Sequence, residues 1–441
     1  MRKKVLLLFL IISFSLKAQH WQDLGNYHQF PVISLCSDSS YLFAGEQYSV
    51  TNATLVSQWN GLLWDSVGSH CTLQPRKLII FRGDLICSAC ITGAISFWNG
   101  NSWNILGQIT GSASGLDVSN NELYLTGDFD SIGGTPCSSI AKWDGNSWSR
   151  IDTTKWDGLG AANCAVSYNG ELFMGGNFAN YNNSLNRLVK WNGFQWQSVG
   201  NISFGAIAGV NCMIVYKGEL YIGGLFNGVF PGAAGNGIAR WNGSRWDDMQ
   251  GGIGDPPSQV FALQVYNDEL YVAGNFSTAG GVPSSCIAKW DGSRWCSLGG
   301  YCDNGIACIA VYDSSIIVGG SFDIIGGDSI SKVAKWVGGN YVDSCTTPIG
   351  INEQVQVSEL YFYPNPITGI LNLVFDAIEG SIKNILIYNN KGQIVYSEKV
   401  TVRSQFYNKE INLNYLNDGI YLLQLSGEKI MESRKFILDK Q

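Results

Sequence analysis

The 441-residue chain reads as an all-β protein: a seven-bladed β-propeller of four-stranded blades followed by a small Ig-like β-sandwich. Three observations predict this. First, the phrase tryptophan, Asn or Asp, glycine, two variable residues, tryptophan recurs. Its copies begin at Trp59, Trp98, Trp143, Trp191, Trp241, Trp290 and, in degenerate form, Trp336, spaced 39, 45, 48, 50, 49 and 46 residues apart. A period of that size marks one supersecondary unit stacked in an array. Second, aromatics make up 12%, charged residues only 14%, and there are 53 glycines. That is rich in strand and turn formers and poor in the Lys and Glu that favour helices. Third, the tryptophans stop beyond Ser344, and short alternating apolar runs separated by polar turns take over.

The chain opens on an export signal. Arg2-Lys3-Lys4 is a basic stretch, Val5 to Leu16 is apolar, and Lys17-Ala18-Gln19 offers a small residue for cleavage after Ala18. Twelve apolar residues are too few to span a bilayer, and no later segment is long and apolar enough. The expected domains are therefore 1–18 signal peptide, 19–344 propeller, 345–358 linker and 359–441 sandwich.

One repeat shows how a blade forms. Val260 to Tyr266 is an apolar-rich run closed by Asn267-Asp268, and Leu270 to Gly274 is a second. Cys286 to Trp290 is a third, and Trp295 to Leu298, beyond Asp291-Gly292, is a fourth. Four short strands with polar turns make an antiparallel meander. Parity puts both tryptophans of a motif on one face of their hairpin, whether the turn holds two or four residues. Six pairs are assigned this role: Trp59 with Trp64, Trp98 with Trp103, Trp143 with Trp148, Trp191 with Trp196, Trp241 with Trp246, and Trp290 with Trp295. Each indole has 150–250 Å² or so to bury, which one blade cannot cover alone. The second runs, such as Glu219-Leu-Tyr-Ile-Gly-Gly, end in small residues that permit positive φ or close backbone approach. Trp21-Gln-Asp-Leu-Gly25 matches a fourth strand with no blade of its own, so it is expected to complete the last blade and close the ring.

Strand, double glycine, loop, aromatic strand and tryptophan together resemble the kelch-type repeat. The wording Ile-Ala-Lys-Trp-Asp-Gly-x-x-Trp, at Trp143 and Trp290, resembles the Rax2-like cell-surface propellers of bacteria and fungi. The resemblance covers roughly Trp21 to Ser344 and implies a binding scaffold. Farther on come Tyr363-Pro-Asn-Pro366, Ile387-Tyr388 with Gly392, and Gly419-Ile-Tyr-Leu422. Their order resembles the type A sorting domain of the type IX secretion system of Bacteroidota. That resemblance implies passage across both membranes, the secretion machinery as partner through 359–441, and an extracellular or outer-membrane-surface destination.

Composition excludes several activities. With a net charge of −7 and no basic stripe, nucleic acid is not an expected partner. Only His20, His28 and His70 exist, in no metal-spaced cluster, so histidine-based catalysis and a metal centre lack their usual groups. No catalytic residue, metal or cofactor is assigned. Asp128 with Asp130, and Asp323 with Asp328, read as turn caps rather than calcium ligands. Twelve cysteines in an exported chain permit disulfides. Cys164, Cys212 and Cys308 fall at equivalent positions, and they, Cys87 and Cys90 read as structural.

The long variable loops, 45–55, 152–163, 177–188 and 226–237, all emerge on one face, which is the expected binding face. Trp156, Tyr181, Phe230 and Tyr301 lie on it and are the candidate binding residues, suited to stack on a sugar or anchor a protein. The expected function is non-catalytic binding of an extracellular glycan or protein. The alternative is a polysaccharide lyase or hydrolase, which needs paired carboxylates, or a tyrosine with a base, in the central mouth.

Overall fold

The computed structural model describes residues 21–25, 28–47, 55–68, 74–91, 93–152, 161–179, 185–199, 209–227, 236–254, 258–298, 300–330, 332–338, 360–363, 367–376, 382–389, 391–401, 406–426 and 431–440. The signal segment 1–18, with Ala18, lies outside them. The chain divides into two compact units, Met1–Thr347 and Pro348–Gln441. Among the described residues every regular element is a β-strand.

In the first unit, four-stranded antiparallel meanders follow one another. Val32–Ser37, Leu42–Glu46, Val56–Trp59 and Trp64–Ser66 form the first, and Gly209–Tyr216, Glu219–Asn227, Asn236–Trp241 and Trp246–Asp247 form another. The inner strand of each sheet packs on the next. Val32–Ser37 lies on Lys77–Phe81, then follow Trp103–Ser119, Ala162–Tyr168, Gly209–Tyr216, Gln259–Tyr266 and Ile306–Tyr312, which packs back on Val32–Ser37. The sheets thus close into a propeller-like ring.

One seam departs from four separate strands per blade. Trp103–Ser119, at 17 residues, is the outer strand of one meander and the inner strand of the next, which fuses the two into one sheet. No loop separates these repeats. The strand instead bends through register shifts around Gly111, whose φ of 126° and tight approach to Asp128 O admit no side chain.

The expected closing strand is seen directly. Trp21–Asp23 pairs with Val333–Trp336 in the register Trp21↔Trp336, and the two indoles lie 5.0 Å apart. The first and last strands of the ring therefore share one sheet.

The tryptophan motif turns out to be a four-residue turn. In all six copies the Asn or Asp side chain accepts hydrogen bonds from the amides two and three residues on, as Asn60 does from Leu62 and Leu63. The following glycine takes φ near +100°, from 90° at Gly100 to 106° at Gly292. Two-residue turns do occur elsewhere, at Gly133-Gly134, Gly280-Gly281 and Gly326-Gly327, where both glycines have positive φ. At Gly224 the reason for glycine is close approach, since a Cβ would sit 2.0 Å from Gly209 O.

The paired tryptophans have unequal roles. Their rings lie 5.1–5.6 Å apart, but the second of each pair is buried while the first, except Trp290, is half-buried. In five of the six pairs the second indole also donates its N–H to a carbonyl of the preceding repeat. Trp64 bonds Leu24, Trp103 bonds Val67, Trp148 bonds Leu106, Trp246 bonds Val199 and Trp295 bonds Met249. Seam packing therefore rests mainly on the second tryptophan, not equally on both as the motif alone suggests.

The second unit holds two antiparallel sheets. Leu360–Tyr363, Ile370–Asp376 and Phe406–Asn412 form one; Ile394–Thr401, Ile382–Tyr388, Gly419–Ser426 and Met431–Leu438 form the other. Alternate residues of both, Leu371 and Leu373, Ile385 and Ile387, Leu423 and Leu425, Phe436 and Leu438, enter one core.

Candidate functional site

The inner strands enclose a central cavity of about 660 Å³, lined by residues from every one of them. The strands are tied to one another around it. Asn163 Nδ2 donates to Val210 O and Asn211 Nδ2 to Val260 O; Asp117 Oδ2 accepts from the Ala165 amide at 2.9 Å, and Ser34 Oγ accepts from the Leu78 amide. Tyrosines at the strand ends add a further ring of bonds, from Tyr216 to Asp268 O, Tyr266 to Ser314 O and Tyr312 to Ser40 O.

Most of these strands open with a bulge, which aligns them residue by residue. Cys164, Cys212 and Cys308 pair with Gly175, Gly223 and Gly319, so the equivalence read from the sequence is met in space. Lys77, paired with Ser88, occupies the same slot in its own repeat, and Arg76 precedes it. Ser88 is fully buried, and its hydroxyl accepts from the Lys77 amide and donates to the Lys77 carbonyl.

Among the described lining residues, the charged groups are Arg76, Lys77 and Asp117. Burial pushes the Asp117 carboxyl up, and Lys77 and the Ala165 amide draw it part of the way back. Burial likewise raises the thiols of Cys212 and Cys308 to about 12, and that of Cys36 further, each opposed by the Lys77 charge. Lys77 lines the cavity with an exposed side chain.

Of the four predicted binding residues, Trp156, Tyr181 and Phe230 lie outside the described residues. Tyr301 is 61% exposed. Its backbone is pinned on the C-terminal side: Ser285 Oγ accepts from the Cys302 amide and donates to its carbonyl, and Asp303 accepts from the Asp323 and Ile324 amides. The ring projects from a fixed loop instead of folding beneath it.

Other sequence features resolve as structure. His28 is buried, with Nδ1 2.9 Å from Glu46 Oε1 and its ring edge-on to Trp64. Asp323 pairs with Lys332 at 2.7 Å. No group of three metal-ligating side chains occurs among the described residues. Cys87 is buried, and Cys296 is disulfide-bonded. Cys286 is lowered by a hydrogen bond from the Cys302 thiol beside it. A second cleft of about 460 Å³ lies at the closing seam, between Trp59, Tyr312 and Lys335.

Sequence reasoning missed Arg76, Lys77 and Asp117. The signal was present: these charges interrupt positions that other repeats fill with small, amide or apolar residues. It needed the bulge register to be seen.

Residues 361–439 match the secretion system C-terminal sorting domain family. This tail marks the chain for the type IX machinery and for export to the cell surface or extracellular space of Bacteroidota. No helix among the described residues is long and apolar enough to cross a membrane. No curated protein matches the chain. Among solved structures, one similar chain is described as the extracellular domain of a hybrid two-component system from B. thetaiotaomicron. It shows 11% identity and a TM-score of 0.47 over 96% of this chain and 58% of that one. The present chain thus spans less than two thirds of that protein domain. A second is described as a 6-phosphogluconolactonase from Bacteroides fragilis, with 10% identity and a TM-score of 0.40 over 84% of this chain and 98% of that one. A third, titled glycoside hydrolase, has 10% identity and a TM-score of 0.27, covering 75% and 94%.

Proposed function

We propose that this is an exported, non-catalytic binding protein: a seven-bladed, kelch-like propeller over 19–344, carried to the surface by an Ig-like sorting domain at 359–441 after removal of a signal peptide at Ala18. Residues 345–358 link the two. Its ligand is an extracellular glycan, or a protein, held on the loop face. The observation that carries this reading is Tyr301, an aromatic ring 61% exposed on a backbone pinned by hydrogen bonds. A rigidly presented tyrosine offers a flat apolar face to a sugar ring at little entropic cost. Trp156, Tyr181 and Phe230 are proposed to share that face.

A glycan array read with the secreted protein tests it. Wild type is expected to bind one glycan class, and Tyr301→Ala to weaken that binding by about tenfold or more, a hot-spot loss, with no change in Tm. One observation favours an enzyme instead: Asp117 is a carboxyl with raised pKa inside a cavity, as general acids often are. Turnover of any polysaccharide that Asp117→Asn abolishes would replace the binding reading with a lyase or hydrolase.

A further inference from the structure

The ring repeats its seams, but its cavity breaks the repeat in one sector. At the bulge position the other strands carry Ile33, Ser114, Asn163, Asn211, Phe261 and Ala307, and the second repeat carries Arg76. At the next position most carry Cys, Ser, Gly or Ala, and the second repeat carries Lys77. Across the strand, where Gly45, Gly175, Gly223 and Gly319 stand in other repeats, it carries Ser88. These three departures are coupled, because the Ser88 hydroxyl brackets the Lys77 backbone through both its N–H and its C=O. A glycine there has no hydroxyl to do so.

Two adjacent cations on one wall of a cavity repel each other, and an anion between them relieves that repulsion. Among the described residues no carboxylate lies within ion-pair distance of Arg76 or Lys77, although the cations of the strand hairpins, Lys142, Lys190, Arg240 and Lys289, all have one. The remaining polar lining includes amides and hydroxyls, those of Asn163, Asn211, Gln264, Ser37 and Ser114. A volume of about 660 Å³ lies within the range of small-molecule sites. Phe261 is the one aromatic residue among the described lining residues.

We infer that the central cavity is a binding site for a small polyhydroxylated carboxylic acid of the sugar-acid class, whose carboxylate is held by Arg76 and Lys77. The amide oxygens and the Ser114 hydroxyl receive its hydroxyls, and Asp117, from the neighbouring inner strand, accepts a further hydrogen bond from one of them. Arginine supplies two parallel donors to a carboxylate and lysine a point charge, so the pair both orients and attracts. This site is separate from the loop face and does not depend on Tyr301.

The test uses the full secreted chain, with D-galacturonate and D-glucuronate as probes, their neutral parents galactose and glucose as controls, and inorganic phosphate as a bare anion. Calorimetry at neutral pH is expected to show at least one acid binding with no measurable binding of its neutral parent. Lys77→Met and Arg76→Met should each weaken the acid by about tenfold, as for one charge-assisted hydrogen bond. Both side chains are exposed, so neither variant should change Tm. Asp117→Asn should weaken acid binding, because its one remaining oxygen is held by the Ala165 amide and cannot also receive the ligand hydroxyl. Tyr301→Ala should leave it unchanged, which separates this site from the loop-face reading. The inference is overturned if no acid binds, if an acid and its neutral parent bind equally, or if a folded Lys77→Met binds as wild type. It is also overturned if phosphate binds as tightly as the acids, since the cavity would then hold a bare anion only.

Discussion

The seams between neighbouring sheets and the wall of the cavity belong to the same repeats, yet they follow different rules. Along the seams one contact is copied: an indole N–H to the carbonyl of the preceding repeat at Trp64, Trp103, Trp148, Trp246 and Trp295. A tyrosine hydroxyl likewise bonds the next turn at Tyr216, Tyr266 and Tyr312. Along the cavity, some residues recur, such as Cys164, Cys212 and Cys308, but the others vary and one sector carries Arg76 and Lys77. In a ring of repeats the copied residues hold neighbours together, so identity is kept where packing demands it. Residues free to diverge are those that face the open interior. Under the binding proposal, stability and recognition are separated within each sheet.

The largest effect expected is at the closing seam. Deleting residues 19–25 removes Trp21, which is fully buried against Trp336, and Leu24, whose carbonyl receives the Trp64 indole. Summing a buried tryptophan and a buried leucine gives a loss of about 5–10 kcal/mol, enough to open the ring. Chemical denaturation is the measurement, and an unchanged midpoint would show that the ring closes without this strand. Next comes a test within one motif. Trp148→Ala should cost about 3–5 kcal/mol, and the half-buried Trp143→Ala clearly less. Equal costs would mean that the two tryptophans share the seam after all.

That inequality marks how far the sequence alone reaches. The period of the tryptophan phrase declares the array, because a unit that cannot bury its own face must repeat. The glycine after each Asn or Asp declares a turn, because φ near +100° excludes most side chains. The ion pairs Glu122–Lys142, Glu171–Lys190 and Glu269–Lys289 join the glutamate opening a second strand to the lysine before a first tryptophan, a pairing seen only in the structure. Which tryptophan is buried was not legible, since both lie on the same hairpin face and only the position of the preceding repeat distinguishes them. Nor was the cavity. A bulge shifts the parity of each inner strand, so the residues facing inward cannot be counted off by twos. The loop face was legible only as a region: Tyr301 shows how its ring is carried, and the other three residues named for it lie outside the described structure.

A smaller test concerns the tyrosine ring of bonds. Tyr266→Phe keeps the packing and removes one hydroxyl, which donates to Ser314 O at 2.7 Å. The expected loss is about 1 kcal/mol, with sugar-acid binding unchanged. A larger loss, or any loss of binding, would tie the seams to the cavity and break the separation argued above.

The smallest effect is one of sign, and it sets the two surfaces against each other directly. On the hairpin of its own sheet, Glu122 is held below the usual carboxylate range, first by the hydrogen bond from Lys142. A lowered folded pKa stabilises above the unfolded value and is lost as pH falls, so Glu122→Gln should destabilise at neutral pH and become neutral in acid. In the cavity, Asp117 is raised by burial more than Lys77 and the Ala165 amide lower it. A raised folded pKa gives a contribution fully present below the unfolded value and lost as pH rises through the folded one. At neutral pH the Asp117 carboxylate is therefore a liability, and Asp117→Asn, which keeps an oxygen for the Ala165 amide, should raise Tm. The Tm difference from wild type should be near zero at about pH 3 and grow as pH rises through the folded value. Measured together by thermal melting across that range, the two variants should diverge in opposite directions. If Asp117→Asn lowers Tm at neutral pH, the cavity carboxylate is a stabilising part of the ring, and the cavity wall obeys the same rule as the seams.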